Sequence, residues 1–207
     1  MSIVKLNNRG VRSVTAFGSL TSGSMTFIKK LTASSSGTLS FVDGSSDVVL
    51  DNTYKEYLFT LKNIHPSGTN HFQFNGSSDS GSNYNVTKTT TIFTTQNSEN
   101  SAETASVIYQ SGDDIAQGTG FQDLMAYGEM DADNDHSLNG TLHLFNPSST
   151  TFVKHFIATT QANINTNYCN NGFIAGYFNT TSAIDAIQFK MNSGNIDAGD
   201  ICLYGIN

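Results

Sequence analysis

Between residues 129 and 140 the chain reads EMDADNDHSLNG, the one place where acidic side chains crowd together. Asp131, Asp133 and Asp135 alternate along it, with Glu129 before them and His136 after. Carboxylates at the first, third and fifth positions of a loop can converge on calcium, which takes about six to eight oxygen ligands. The helix–loop–helix form of such a site also needs glycine at its sixth position and glutamate at its twelfth. Here those positions hold His136 and Leu142, so that motif is absent. A less regular calcium loop is the only metal site for which these residue types argue. The competing reading is a solvated turn, because Asp and Asn favour turns and the segment separates two strand patterns. The turn is the default, and no cofactor other than calcium is expected.

Two carboxylates about 5–10 Å apart could hydrolyse a glycoside, and Glu129 with any of the three aspartates, or Asp113 with Asp114, meets the composition of such a pair. Nothing in the sequence buries either partner. Of the histidines, His65, His71, His136, His143 and His155, two stand in consecutive strand patterns, LHLF and KHF. Neighbouring strands could bring His143 and His155 together as metal ligands or as a base, but no third ligand is identifiable. Nucleophile-elbow, zincin and Walker patterns are absent, and Gly118-Thr119-Gly120 reads as a turn. Carbohydrate-binding sandwiches stack sugars on aromatic rings; Tyr54, Tyr57, Tyr84, Tyr127, Tyr168 and Tyr177 are the candidates, with most phenylalanines assigned to the core. No catalytic and no cofactor-binding residue is assigned, and the chain is expected not to be an enzyme.

The elements that must carry these residues are strands. Period-two patterns recur from end to end, punctuated by Gly, Asn and Ser. MTFIKKL (25–31) and GTLSFVD (37–43) flank TASSS, which reads as a hairpin loop. YKEYLFTLKNI (54–64) is closed by His65-Pro66. HFQFNG (71–76), YNVTKTTTIFTT (84–95), NGTLHLFNP (139–147), TFVKHFIATTQANI (151–164), NGFIAGYFN (171–179), DAIQFKMNSG (185–194) and AGDICLYGI (198–206) continue the series. SAETASVIYQ (101–110) mixes a helical first half with a strand-like second half. About ten to twelve short strands with no helix of three turns predict an all-β, antiparallel β-sandwich of jelly-roll type. It should be a single domain over residues 21–207, with residues 1–20 an N-terminal arm or first strand.

Composition agrees. Ser, Thr and Asn supply about a third of the 207 residues, and charged residues only 13%. A net charge of −7 with ten Lys and Arg argues against nucleic acid, whose phosphates need clustered cations; the pair Lys29–Lys30 is too small. Two cysteines, Cys169 and Cys202, make neither a disulfide framework nor a zinc site. No run approaches the roughly 18 apolar residues that span a membrane, and MSIVKLNNRG lacks the apolar core of a secretion signal. The expectation is a soluble protein made in the cytoplasm.

Four blocks are familiar together: VRSVTAFGSLTSGSMTFIKKLTASSSGTLSFVDG (11–44), YLFTLKNIHP (57–66), LHLFNPSSTTFVKHF (142–156) and GYFNTTSAIDAIQFKMNSGNIDAGDICLYGIN (176–207). They resemble β-rich virion proteins of marine tailed phages, especially phages of cyanobacteria. The ending SGNIDAGDICLYGIN is similar to the last strand of fibre-tip and decoration-type sandwiches. The resemblance implies a structural protein of the particle, in multiple copies on head or tail, made in the host cytoplasm. Its implied partners are other capsid or tail proteins and copies of itself, as a trimer. A receptor-binding fibre or spike module that recognises host surface glycan is the alternative, and a glycan-degrading enzyme the third reading. No catalytic residue comes with the resemblance.

Overall fold

Alternation of apolar and polar residues buries every second side chain of a strand. In KHFIATTQANI, Phe156, Ala158, Ala162 and Ile164 point inward, while His155, Ile157 and Thr159 point outward. Such segments make up nearly all of the fold in a computed structural model, which describes residues 24–207 except 102, 104 and 126. Its strands are β1 (Met25–Thr32), β2 (Leu39–Val42), β3 (Glu56–Pro66), β4 (Phe72–Ser77), β5 (Lys88–Ser98) and β6 (Ser106–Tyr109). They continue with β7 (Gln122–Asp123), β8 (Leu138–Phe145), β9 (Lys154–Ile164), β10 (Tyr168–Phe178), β11 (Ala186–Met191) and β12 (Ile196–Ile206). Two antiparallel sheets pack together: an eight-stranded one in the order β1-β12-β3-β8-β9-β10-β5-β6, and a four-stranded one in the order β2-β11-β4-β7. The expected all-β antiparallel sandwich is the fold. Residues 1–20, read as an arm or first strand, lie outside the described residues. Among the described residues no helix is long and apolar enough to cross a membrane.

The pairing is nested. β1 pairs with β12, β2 with β11, β3 with β8 and β4 with β7, so outer strands enclose inner ones. From β1 to β4, and again from β7 through β8 and β11 to β12, successive strands of this set alternate between the sheets. Two hairpin-like additions, β5–β6 and β9–β10, both widen the larger sheet. The nesting corrects the hairpin expected around TASSS: β1 and β2 belong to different sheets, and the loop crosses between them. Alternation fixes which face a residue takes but not which strand it meets. Ser35 adopts a left-handed φ of 48°, and the amides of Ser35 and Ser36 donate to the carbonyls of Asp197 and Ile196. These bonds tie the crossing to the start of β12.

Between the sheets lies an aromatic core. Phe41 meets Phe59 edge-on at 5.3 Å, Phe74 meets Phe156 at 5.1 Å, and Phe189 stacks on Phe72 at 5.8 Å. Each fully buried ring contributes roughly 1.5–3 kcal/mol relative to an exposed one. The four-stranded sheet is too narrow to cover the larger one. The segment from 111 to 136 covers much of the remainder, held by polar groups of β5, β9 and β10. Thr90 donates to Gln122 at 2.5 Å, Thr160 to the Leu124 carbonyl at 2.5 Å, and Asn170 to the Tyr127 carbonyl at 2.6 Å. Beneath it Lys88 is fully buried, its ammonium bonded to the Gly120 carbonyl and, at 3.3 Å, to that of Val86.

Candidate functional site

The acidic stretch is a turn between the covering segment and β8. Asp131 points back into its own loop, where one carboxylate oxygen accepts the Asp133 amide at 3.0 Å and meets His136 Nδ1 at 2.5 Å. The Asp133 amide, together with His136, holds the Asp131 carboxyl below its usual 3.8. His136 is buried, and its Nε2 lies 3.7 Å from Asp135, whose side chain is 69% exposed. Asp133 contributes its carbonyl to His65 Nε2 at 3.1 Å. Asp131 therefore serves the turn, in the way that a short carboxylate caps a backbone amide two residues on. Among the described residues no three His, Cys, Asp or Glu side chains form a group able to hold a metal ion.

The carboxylates offered for catalysis part company. Asp114 accepts the Ile92 amide at 2.9 Å and the Tyr109 hydroxyl, both on neighbouring strands. Glu129 joins a group that sequence reasoning missed. His71, just before β4, has Nδ1 3.5 Å from Asp123 and Nε2 3.7 Å from Glu129. Gln73 donates to the other Asp123 oxygen at 2.6 Å. The bond to Asp123 raises the His71 pKa above 6.5 against the lowering effect of burial, and the charges of Asp123, Glu129 and Asp113 add to the rise. Asp113 is itself pushed up, by burial and then by Asp123. The register of β4 with β7, Gln73 opposite Asp123, brings these groups together across 52 positions of sequence (123 − 71). Consecutive left-handed residues, Tyr127 (φ 63°) and Gly128 (φ 87°), then turn the chain back toward Glu129. A Cβ on Gly128 would run into Ile164 Cδ1. Both imidazole nitrogens face carboxylates of the covering segment, so the group ties the start of β4 to that segment, as an ion pair when the ring is protonated.

His143 and His155 lie on the same outer face of β8 and β9, offset along the strands, with His143 opposite Ile157. His143 is engaged by Glu56, Nδ1 to Oε1 at 2.5 Å, and His155 packs beside Tyr177. Both cysteines are free, Cys169 exposed and Cys202 buried. Of the tyrosines proposed as sugar platforms, Tyr57 is fully buried, with its hydroxyl donating to the Asp51 carbonyl at 2.9 Å. That corrects its assignment: its place in β3 faces it into the sandwich. Tyr54 packs against the core and Tyr168 bonds to Glu103, while Tyr127 is exposed.

The broadest unusual surface is the outer face of the larger sheet. Not all phenylalanines are core: Phe93 and Phe173 are exposed there and stack at 4.8 Å. Around them stand Tyr109 at 61%, Val107 at 73% and Ile157 at 51% exposure. A hollow of about 520 Å³ lies beside them, lined by Thr91, His155, Ile157, Ala175 and Tyr177 among others. No outward residue of β8, β9, β10, β5 or β6 is Asp, Glu, Lys or Arg. The charges of this face, Lys30, Lys62, Asp200 and Glu56, all lie on β1, β12 and β3. Comparison with models of protein families, with curated proteins and with solved structures found no match.

Proposed function

We propose that the chain is a non-enzymatic structural component of a phage particle, present in multiple copies on head or tail. The reading rests on the resemblance of four sequence blocks and on one structural observation. That observation is a broad outer sheet face carrying exposed aromatic and threonine side chains and no formal charge across five strands. Association through such a face desolvates few ions, and taking ions out of water is what makes buried charge costly. The nested pairing of β1–β12, β2–β11, β3–β8 and β4–β7 supports reading the sandwich as a jelly roll with two inserted additions. Jelly rolls recur in capsid and lectin domains. Of the aspartates that sequence offered for catalysis, Asp131 and Asp114 accept backbone amides of their own turn and of β5, which favours a structural role for these two over hydrolysis.

Quantitative mass spectrometry of purified particles tests the proposal. Recovery in many copies per particle, with a density map placing them on the lattice, is the expected result. A handful of copies at the tail tip, with binding on a glycan array, would move the assignment to a receptor-binding module. Release of new reducing ends from host envelope polysaccharide would overturn the non-enzymatic reading.

A further inference from the structure

We infer that the outer face of β8, β9, β10, β5 and β6 is where copies of this chain meet. This deepens the multi-copy reading above, and the argument for the occupant rests on charge and area. Each copy carries a formal net charge of −7, so two copies repel as they approach. Contact costs least where neither copy presents an ion. This face is such a region: within the sheet the charges are confined to β3, β12 and β1, and the carboxylates at its other rim, Asp114 and Glu103, are engaged by the hydroxyls of Tyr109 and Tyr168. Complementary charge, one means by which a partner of different sequence is selected, is not offered by this face. A second copy brings the same uncharged surface, and self-complementarity is what a two-fold contact requires.

The size fits as well. Strands about 4.8 Å apart with a rise of about 3.4 Å per residue give this face an area of about 700 Å². A standard interface takes about 800 Å² from each partner. A monosaccharide would leave most of that surface wet. The composition also has the pattern of an interface core: aromatic rings at the centre, with charge depleted. Register places Tyr109, Phe93 and Phe173 in one row across three strands, with Ala175, Ile157 and His143 in the adjacent row. The exposed rings therefore form a continuous strip.

Sedimentation of the full chain up to about 100 µM, in the range where weak specific complexes form, tests this. Wild type should sediment as a dimer or larger closed assembly. I157K should raise the dissociation constant by about tenfold or more, since an ammonium is stranded in a desolvated contact. V107K, on a separate strand, should act in the same direction. F152K, at an equally exposed phenylalanine (68%) in the loop between β8 and β9, should leave the assembly unchanged. The melting temperature of each variant, measured in dilution, separates loss of contact from loss of fold. A monomeric wild type would overturn the inference, as would an assembly that both face variants leave intact or that F152K dissociates. Assembly in solution by a protein absent from particles would keep the interface and remove the virion role. Presence in particles with a monomeric free chain would do the reverse.

Discussion

Burial pushes the Lys88 pKa down from 10.5 to about 8, and the direction of the effect on stability follows. Below about 8 the folded chain holds a desolvated ammonium, which costs stability. Between about 8 and 10.5 the folded state has released that proton and the unfolded state has not, so the cost is relieved as pH rises. Stability of the wild type relative to Lys88→Met should therefore climb across this window, by at most about 3 kcal/mol for a shift of about 2.5 units. The Gly120 and Val86 carbonyls offset part of the cost. Chemical denaturation at stepped pH measures it. His71 runs oppositely. Its raised pKa gives stability that is complete below the unfolded value of 6.5 and lost as pH rises through the folded value. His71→Asn should flatten that decline, with the largest loss relative to wild type on the acid side. In the acidic turn, one Asp131 oxygen is committed to Asp133 and His136. Millimolar calcium or chelator should leave the melting temperature unchanged; a rise that Asp133→Asn abolishes would reassign the loop as a cation site.

At the scale of elements, β12 is the strand with least freedom. It lies between β1 and β3, and at Gly205 the Tyr54 ring lies flat where a Cβ would be. Gly205→Ala should displace Tyr54 from its edge-on contact with Tyr57 and destabilise by about 1–3 kcal/mol, the usual cost of overpacking. A shifted denaturation midpoint with an unchanged slope is the expected reading. Strand identity in this chain was legible because period-two burial is written locally. DAIQFKMNSG places Ile187, Phe189 and Met191 on one face, and all three are buried in β11. Partnership was not legible, because it depends on residues far apart. TASSS has the composition of a hairpin turn, yet it crosses between sheets. The His71 group was hidden for the same reason, since β7 is two residues long and Asp123 sits in a segment without clear alternation. The inner face of β5 misleads differently: Lys88, Thr90, Thr94 and Gln96 are buried, Lys88 and Thr90 against the covering segment, although their types read as exposed.

For the whole molecule, nesting makes the first and last described strands a single unit. Removing residues 196–207 takes away the strand that joins β1 to β3, and leaves Leu61 and Phe59 without their partners Ile201 and Leu203. The truncated chain should lose its cooperative melting transition and its dispersed amide spectrum, whereas a local role for β12 would leave both. The same arrangement governs the order of events during synthesis. β1 emerges before the other described strands, and its partner emerges 164 residues later (196 − 32), which at about 5–20 residues per second is a wait of roughly ten to thirty seconds. Throughout that interval MTFIKKLT is an unpaired, apolar strand able to pair with another nascent chain. Its two adjacent lysines interrupt the apolar run at the centre, as gatekeeper charges do in strands that must stay single. Lys29 and Lys30, too few to grip a phosphate backbone, are well placed to keep growing chains apart until the last strand arrives.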